Sequence, residues 1–178
     1  MLTLDPAASH LLVIDFQARL MPAIPDGPVL VRNARRLITA ARRLQVPVSY
    51  TEQNPRGLGA TLPDLAPQPG ETVLAKMTFD ACRSDAVARH LDDGREIIVT
   101  GCEAHVCVLQ TVLGLLDAGR RVQVVADAIG SRMALNRDTA LARMERHGAG
   151  IVTTEMVIFE WLGTAEHPDF REIVALIK

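Results

Sequence analysis

Val99-Thr100-Gly101-Cys102-Glu103-Ala104-His105-Val106-Cys107-Val108-Leu109-Gln110-Thr111 runs from an apolar strand, through a tight turn, into a helical pattern with a cysteine at its start. A short, unbroken apolar strand of this kind belongs in a parallel sheet covered on both faces. At a helix start, free backbone N–H groups and the helix dipole favour a thiolate over a thiol. The passage therefore carries two readings: an α/β fold, and Cys107 as a candidate nucleophile.

The rest of the chain repeats the alternation. His10-Leu11-Leu12-Val13-Ile14-Asp15 reads as another strand buried on both faces. Residues 28–45 place Leu30, Ala34, Leu37, Ile38, Ala41 and Leu44 on one helical face, with five arginines on the other side or at its edges. A strand at Val46–Tyr50 leads into a Pro/Gly-rich loop at about 53–70, long enough to be read as a substrate loop. A strand Thr72–Ala75 ends at Lys76, and a helix follows to Leu91 with Ser84 as its N-cap. Then come strand Glu96–Thr100, helix 104–118 stopped by Gly119, and strand Arg121–Ala126. A helix at about 136–147 stopped by Gly148, strand Gly150–Thr153 and two short helical pieces complete the chain. The pattern predicts a three-layer αβα fold: an open, mostly parallel sheet of about six strands with helices on both faces. With 178 residues and no linker or repeat, residues 1–178 are read as one domain.

Composition narrows the function. The chain is 48% hydrophobic and 22% charged, so it is not disordered. A net charge of −2 and 3% aromatics offer nothing to nucleic acid or an anionic membrane. No run approaches the ~18 apolar residues of a membrane span, and the N-terminus has no secretion pattern. Cys82, Cys102 and Cys107 are odd in number and contain no C-x-x-C pair. The expectation is a reduced, cytoplasmic setting.

Three reactive side chains fall at or just past strand ends: Asp15, Lys76 and Cys107. Ligands of open parallel sheets bind outside the carboxyl ends of the strands. A carboxylate there can take a thiol proton and a lysine can hold the anion that results. Taken singly, Asp15 could cap a turn, Lys76 could serve a surface ion pair and Cys107 could fill the core. Their shared location at strand ends weakens all three plain readings together.

The motifs Leu12-Val13-Ile14-Asp15-Phe16-Gln17, Lys76-Met77-Thr78-Phe79 and Thr100-Gly101 through Thr111 resemble those of the isochorismatase-like cysteine hydrolases. So do Val124-Val125-Ala126-Asp127-Ala128-Ile129-Gly130-Ser131-Arg132 and Thr153-Thr154-Glu155-Met156-Val157-Ile158-Phe159-Glu160, in the same order along nearly the whole chain. The resemblance implies an Asp15–Lys76–Cys107 triad. Aspartate is its general base, lysine holds the aspartate and the anionic intermediate, and cysteine forms a thioester. It also implies a non-proline cis peptide at Cys102–Glu103, with the Glu103 and Cys107 amides forming an oxyanion hole.

The same family includes isochorismatase itself, which cleaves a vinyl ether with the aspartate as acid. The presence of Cys107 favours C–N bond cleavage of a small amide over ether hydrolysis. A non-catalytic oligomeric binding protein on the same fold is the third reading; an intact Asp15, Lys76 and Cys107 argues against it. Metal-binding nicotinamidases carry histidines after the second strand, whereas Thr51-Glu52-Gln53-Asn54-Pro55-Arg56-Gly57 has none, so no catalytic metal and no cofactor are expected. Phe16, Tyr50 and Phe79 are candidate substrate-pocket residues, with core packing as the alternative. His105 is not read as the base, because i,i+2 neighbours near a helix start point apart. Cys102 is read as a buried small residue. The expected partners are a small-molecule substrate and further copies of this chain, as a dimer or a higher homo-oligomer. Met156–Leu162 is a possible element of that contact or of the core.

Overall fold

β1 (Ser9–Ile14) is buried at every position, and its alternating side chains feed two separate cores. Leu11 and Val13 join one apolar cluster, while Leu12 and Ile14 join the other. That division is the period-2 geometry of a strand covered on both faces. In the computed structural model, which describes residues 2–178, the other elements arrange themselves around this strand.

α1 (Gly27–Arg43) follows, then β2 (Val48–Gln53), a short α2 (Pro55–Leu58) and β3 (Thr72–Lys76). α3 (Asp85–Leu91) leads into β4 (Glu96–Cys102), and a five-residue π turn at Ala104–Val108 precedes α4 (Leu109–Asp117). β5 (Val122–Gly130), α5 (Ala134–Arg146), β6 (Gly150–Val152), α6 (Thr154–Leu162) and α7 (Phe170–Val174) complete the order. The sheet has six strands in the order β3-β2-β1-β4-β5-β6, and every pairing is parallel. The expected αβα layering is present, and the sheet is entirely rather than mostly parallel. Among the described residues, no helix is long and apolar enough to cross a membrane.

α1 lays Leu30, Ala34, Leu37, Ile38 and Ala41 on one face of the sheet, beside Val157, Ile158 and Trp161 of α6. The opposite face receives Val87 and Leu91 of α3, Val112 and Leu115 of α4, and Ala140 and Met144 of α5. Trp161 Nε1 donates to Ser9 Oγ at 3.0 Å, so the largest buried side chain leaves no unsatisfied donor. Of the Met156–Leu162 segment, Val157, Ile158, Trp161 and Leu162 are core, whereas Met156 and Phe159 face outward.

Several expected boundaries move. β2 begins at Val48 and extends to Gln53, which brings Thr51 and Gln53 inside the strand. β5 runs to Gly130, with its register against β4 shifting between Val99 and Gly101. Ser84 stands at the N-cap of α3 but its side chain makes no capping hydrogen bond. The long loop after β2 holds α2 and a 3₁₀ turn at Pro63–Leu65.

The chain winds outward from β1 to β3, then returns to β4 on the other side of β1. The switch point therefore lies between β1 and β4, whose carboxyl ends are Ile14 and Cys102. Gly101 pairs with Ile14 there, at φ 153°. A Cβ at Gly101 would lie 2.3 Å from the Ile14 carbonyl oxygen. Backbone cannot yield as a side chain does, so Gly101→Ala should destabilise the fold by about 2–4 kcal/mol. Gly119, at φ 74° with open space around it, should lose only about 1 kcal/mol on the same change. Denaturant melts of the two variants beside wild type measure the difference.

Candidate active site

Asp15 follows β1 in the left-handed region, at φ 53°. A non-glycine residue there costs on the order of 1–3 kcal/mol, and the surroundings must hold it in place. They do: Asp15 N–H donates to Thr51 C=O at 3.1 Å, and the Asp15 carbonyl accepts from Gln17 N–H at 2.9 Å. The carboxylate then points to Lys76 and Thr51. Lys76 Nζ donates to Oδ2 at 2.7 Å and Thr51 Oγ1 to Oδ1 at 2.7 Å. Both side chains of the ion pair are 0% exposed.

Strand register explains how residues 61 apart in sequence meet. Ile14 pairs with Thr51, and Gln53 pairs with Lys76. Gln53 accepts from Lys76 Nζ at 2.8 Å through Oε1, which also lies 3.9 Å from Cys107 Sγ. Its Nε2 donates to the Met77 carbonyl at 2.8 Å. Gln17 clamps the same strand end: Gln53 N–H donates to Gln17 Oε1 at 2.9 Å, and Gln17 Nε2 donates back to the Gln53 carbonyl at 3.0 Å. Asp15, Lys76 and Cys107 thus sit together at the carboxyl end of the sheet, joined by the Lys76–Asp15 bond and through Gln53, with Thr51 holding Asp15.

Thr51 and Gln53 were not singled out from the sequence. The strand was expected to end at Tyr50, which left both in a loop. Had it been carried to Gln53, alternation would have turned Thr51 and Gln53 to one side and Tyr50 and Glu52 to the other.

Cys107 does not stand on the first turn of an α-helix. The Glu103 carbonyl accepts N–H from both Val106, at 3.1 Å, and Val108, at 3.2 Å, opening the turn to π geometry; α4 starts only at Leu109. The thiol is 6% exposed, and burial together with the Asp15 carboxylate pushes it up to about 12. Lys76 pulls the other way without prevailing. Desolvation and a neighbouring anion outweigh the bias of the turn toward thiolate, so Cys107 depends on a base to take its proton, as the sequence reading has Asp15 do. Cys102 is also pushed up to about 12 by burial, and Cys82 to about 11.

The Cys102–Glu103 peptide is cis. Among the described residues the Glu103 N–H has no protein acceptor. The Glu103 carboxylate is held by Arg132, whose N–H donates to Oε2 at 3.1 Å and whose Nε donates to Oε1 at 3.1 Å. His105 turns away from the thiol: Nδ1 meets Ser131 Oγ at 2.9 Å and Nε2 meets Asn136 Nδ2 at 3.4 Å.

The three expected pocket residues do not line the site together. Phe16 and Tyr50 are fully buried in the core beneath α1, and the Tyr50 hydroxyl accepts from Arg42 Nη2 at 3.1 Å. Their burial is packing. Phe79 is 51% exposed. Among the described residues, no three His, Cys, Asp or Glu side chains converge as a metal cage.

Residues 9–156 match the model of the isochorismatase domain. The chain belongs to the isochorismatase family. It is 42% identical over 176 residues to human isochorismatase domain-containing protein 2, a match covering 97% of this chain and 84% of the relative. Its fold superimposes on the structure of MAR1 ribonuclease from Caenorhabditis elegans with a TM-score of 0.93 and 38% identity, over 98% of this chain and 92% of that one. A second similar structure is the YcaC gene product of Escherichia coli, described as an octameric hydrolase of unknown specificity. Its TM-score is 0.88 at 25% identity, covering 98% of this chain and 96% of that one.

Two measurements probe this electrostatic arrangement. Iodoacetamide modification of Cys107 in the resting protein, followed by peptide mass spectrometry, should be slow at pH 7. It should rise about tenfold per pH unit up to pH 10, because only the thiolate reacts. A plateau near pH 7 would mean the thiol is already ionised. Lys76→Met leaves Asp15 buried without its cation and should cost about 3–5 kcal/mol in a urea titration.

Proposed function

We propose that the protein is a cysteine hydrolase that cleaves the C–N bond of a small amide. The observation that carries this reading is the water-free Asp15–Lys76 pair, connected through Gln53 to the Cys107 thiol. Direct ionisation of Cys107 to solvent would leave the buried set with a net negative charge. Transfer of the same proton to Asp15 leaves it neutral overall, with Lys76 now facing a thiolate instead of a carboxylate. The low-dielectric site opposes the first route and tolerates the second. A thiol that rests protonated is thereby activated only by its own base.

The steps follow. Asp15 takes the Cys107 proton and the thiolate adds to the amide carbonyl carbon. The carbonyl electrons move onto oxygen, where the Glu103 and Cys107 N–H groups receive the charge; one such donor is typically worth about 10²–10³ in rate. Collapse breaks the C–N bond, and the amine leaves with the proton from Asp15. Water then adds to the thioester as Asp15 takes its proton, and collapse releases a carboxylic acid and returns the proton to sulfur. Ether cleavage with Asp15 as acid would leave Cys107 without a role.

The name of the C. elegans protein raises an RNA substrate. A net charge of −2 and 3% aromatics supply neither the basic surface nor the stacking platforms such a substrate needs, which favours a small molecule. The octamer described for YcaC supports assembly of this chain with copies of itself, with the outward Met156 and Phe159 of α6 available as contact residues.

Ammonia release from a panel of aliphatic and aromatic primary amides tests the proposal. Wild type should turn over at least one class, and Cys107→Ala should be at least about 10³-fold slower. Thr51→Val, which removes one hydrogen bond from Asp15, should lower kcat about tenfold. Equal turnover by wild type and Cys107→Ala would refute the thioester route.

A further inference from the structure

The amino-terminal end of the sheet carries a second ordered chain of polar side chains that the Cys107 site does not use. Asp93 Oδ2 lies 3.0 Å from His10 Nδ1, His10 Nε2 lies 2.9 Å from Ser49 Oγ, and Ser49 Oγ lies 2.7 Å from His90 Nε2. Proton placement runs in one direction. Asp93, held as a carboxylate well below its usual range by His10 and Arg95, can only accept, so His10 Nδ1 donates to it. That leaves His10 Nε2 as an acceptor, and Ser49 O–H donates to it. The Ser49 oxygen then accepts from His90 Nε2–H.

Each part comes from a different element. His10 lies near the start of β1, Ser49 near the start of β2, His90 in the last turn of α3, and Asp93 in the turn before β4. Asp93 is itself fixed by Arg95 N–H and Arg120 Nη2 at 3.0 and 3.3 Å on Oδ1, and by Arg95 Nη1 at 3.0 Å on Oδ2. A cavity of about 430 Å³ is lined by Ser49, His10, His90, Asp93, Arg95 and Arg42, among others. Ser49 and His10 are 2% and 3% exposed, so each presents only a small edge to that cavity. Arg95 Nε is buried there with no hydrogen-bond partner, a donor left unused by the fold. His10 and Asp15 are five positions apart, about 16 Å of extended chain, and the two polar clusters share no side chain.

We propose that Ser49, His10 and Asp93 form a second nucleophilic site, which takes small activated esters of carboxylic acids. A serine hydroxyl donating to an imidazole whose other nitrogen is fixed by a carboxylate is the arrangement that makes serine nucleophilic on unrelated folds. Ser49 Oγ adds to the ester carbonyl as its proton passes to His10 Nε2, and Asp93 steadies the imidazolium. As Ser49 Oγ bonds to carbon, the His90 Nε2–H that it accepted at rest is released toward the developing oxyanion, and Arg95 lines the same cavity as a cation. Collapse breaks the C–O bond, and the alcohol leaves with the proton from His10. Water, deprotonated by His10, then cleaves the seryl ester to release the acid and restore Ser49.

The test uses the full chain carrying Cys107→Ala, so that thiol acylation makes no contribution, with p-nitrophenyl acetate and a fluorophosphonate as probes. Peptide mass spectrometry after each should find the adduct on Ser49, and Ser49→Ala should abolish p-nitrophenolate release above the solution rate. His10→Gln should slow acylation at least about 100-fold. Asp93→Asn, in an exposed turn and with the thermal midpoint checked, should slow it at least about tenfold. No adduct on Ser49 at millimolar probe would overturn the proposal. So would an adduct whose rate is unchanged by His10→Gln or Asp93→Asn, since the chain of hydrogen bonds would then be structural only.

Discussion

A lysine ammonium and an aspartate carboxylate face one another at 2.7 Å where neither touches water. Stripping two such ions of solvent costs several kcal/mol each, and their attraction offsets this only with good geometry and satisfied remaining groups. The surrounding structure supplies both. Asp15 is held in a left-handed backbone conformation and receives Thr51; Lys76 gives a second hydrogen bond to Gln53, itself locked to Gln17 and Met77. Loosening any of these strand ends would leave a charge buried and unpaired. The pair thus ties three neighbouring strands into one fixed terminus.

Its position follows from topology. Outward winding from β1 to β3 and the return to β4 leave a crevice at the carboxyl ends of the two central strands. Gly101 allows β4 to pass close against Ile14, so the turn carrying Cys107 arrives beside Asp15. A residue with a side chain at that point would push the thiol away from its neighbours. The same burial that closes the site also raises the Cys107 thiol, so on the proposed route its proton passes to Asp15 rather than to solvent.

Both ends of β1 carry titratable side chains, while the residues between them feed two apolar cores. Asp15 at one end and His10 at the other are each held by partners from adjacent strands or turns. A rigid central strand makes a good platform for both, because neither end can shift without disturbing packing on two faces. The family assignment speaks to the fold and leaves the chemistry of each end to be argued from its own residues.

Much was legible in the residues alone. The apolar runs at 10–14 and 96–100, the arginine-edged helix beginning near residue 28, and the ordered motifs from Leu12 to Glu160 reveal an α/β sheet and its family. These signals are local, since periodicity and motif order survive without knowing which strands pair. What the residues could not reveal depends on contacts between distant segments. Thr51 and Gln53 became part of the candidate site only when β2 lengthened and its register set Thr51 against Ile14 and Gln53 against Lys76. Tyr50 fell into the core because pairing and face alternation, not composition, decide which side a strand residue points to, and Phe16, just past β1, packs into the same core. Only the tertiary structure decided that Cys107 rests as a thiol, because desolvation and the charge of Asp15 arise from packing that no local sequence pattern encodes.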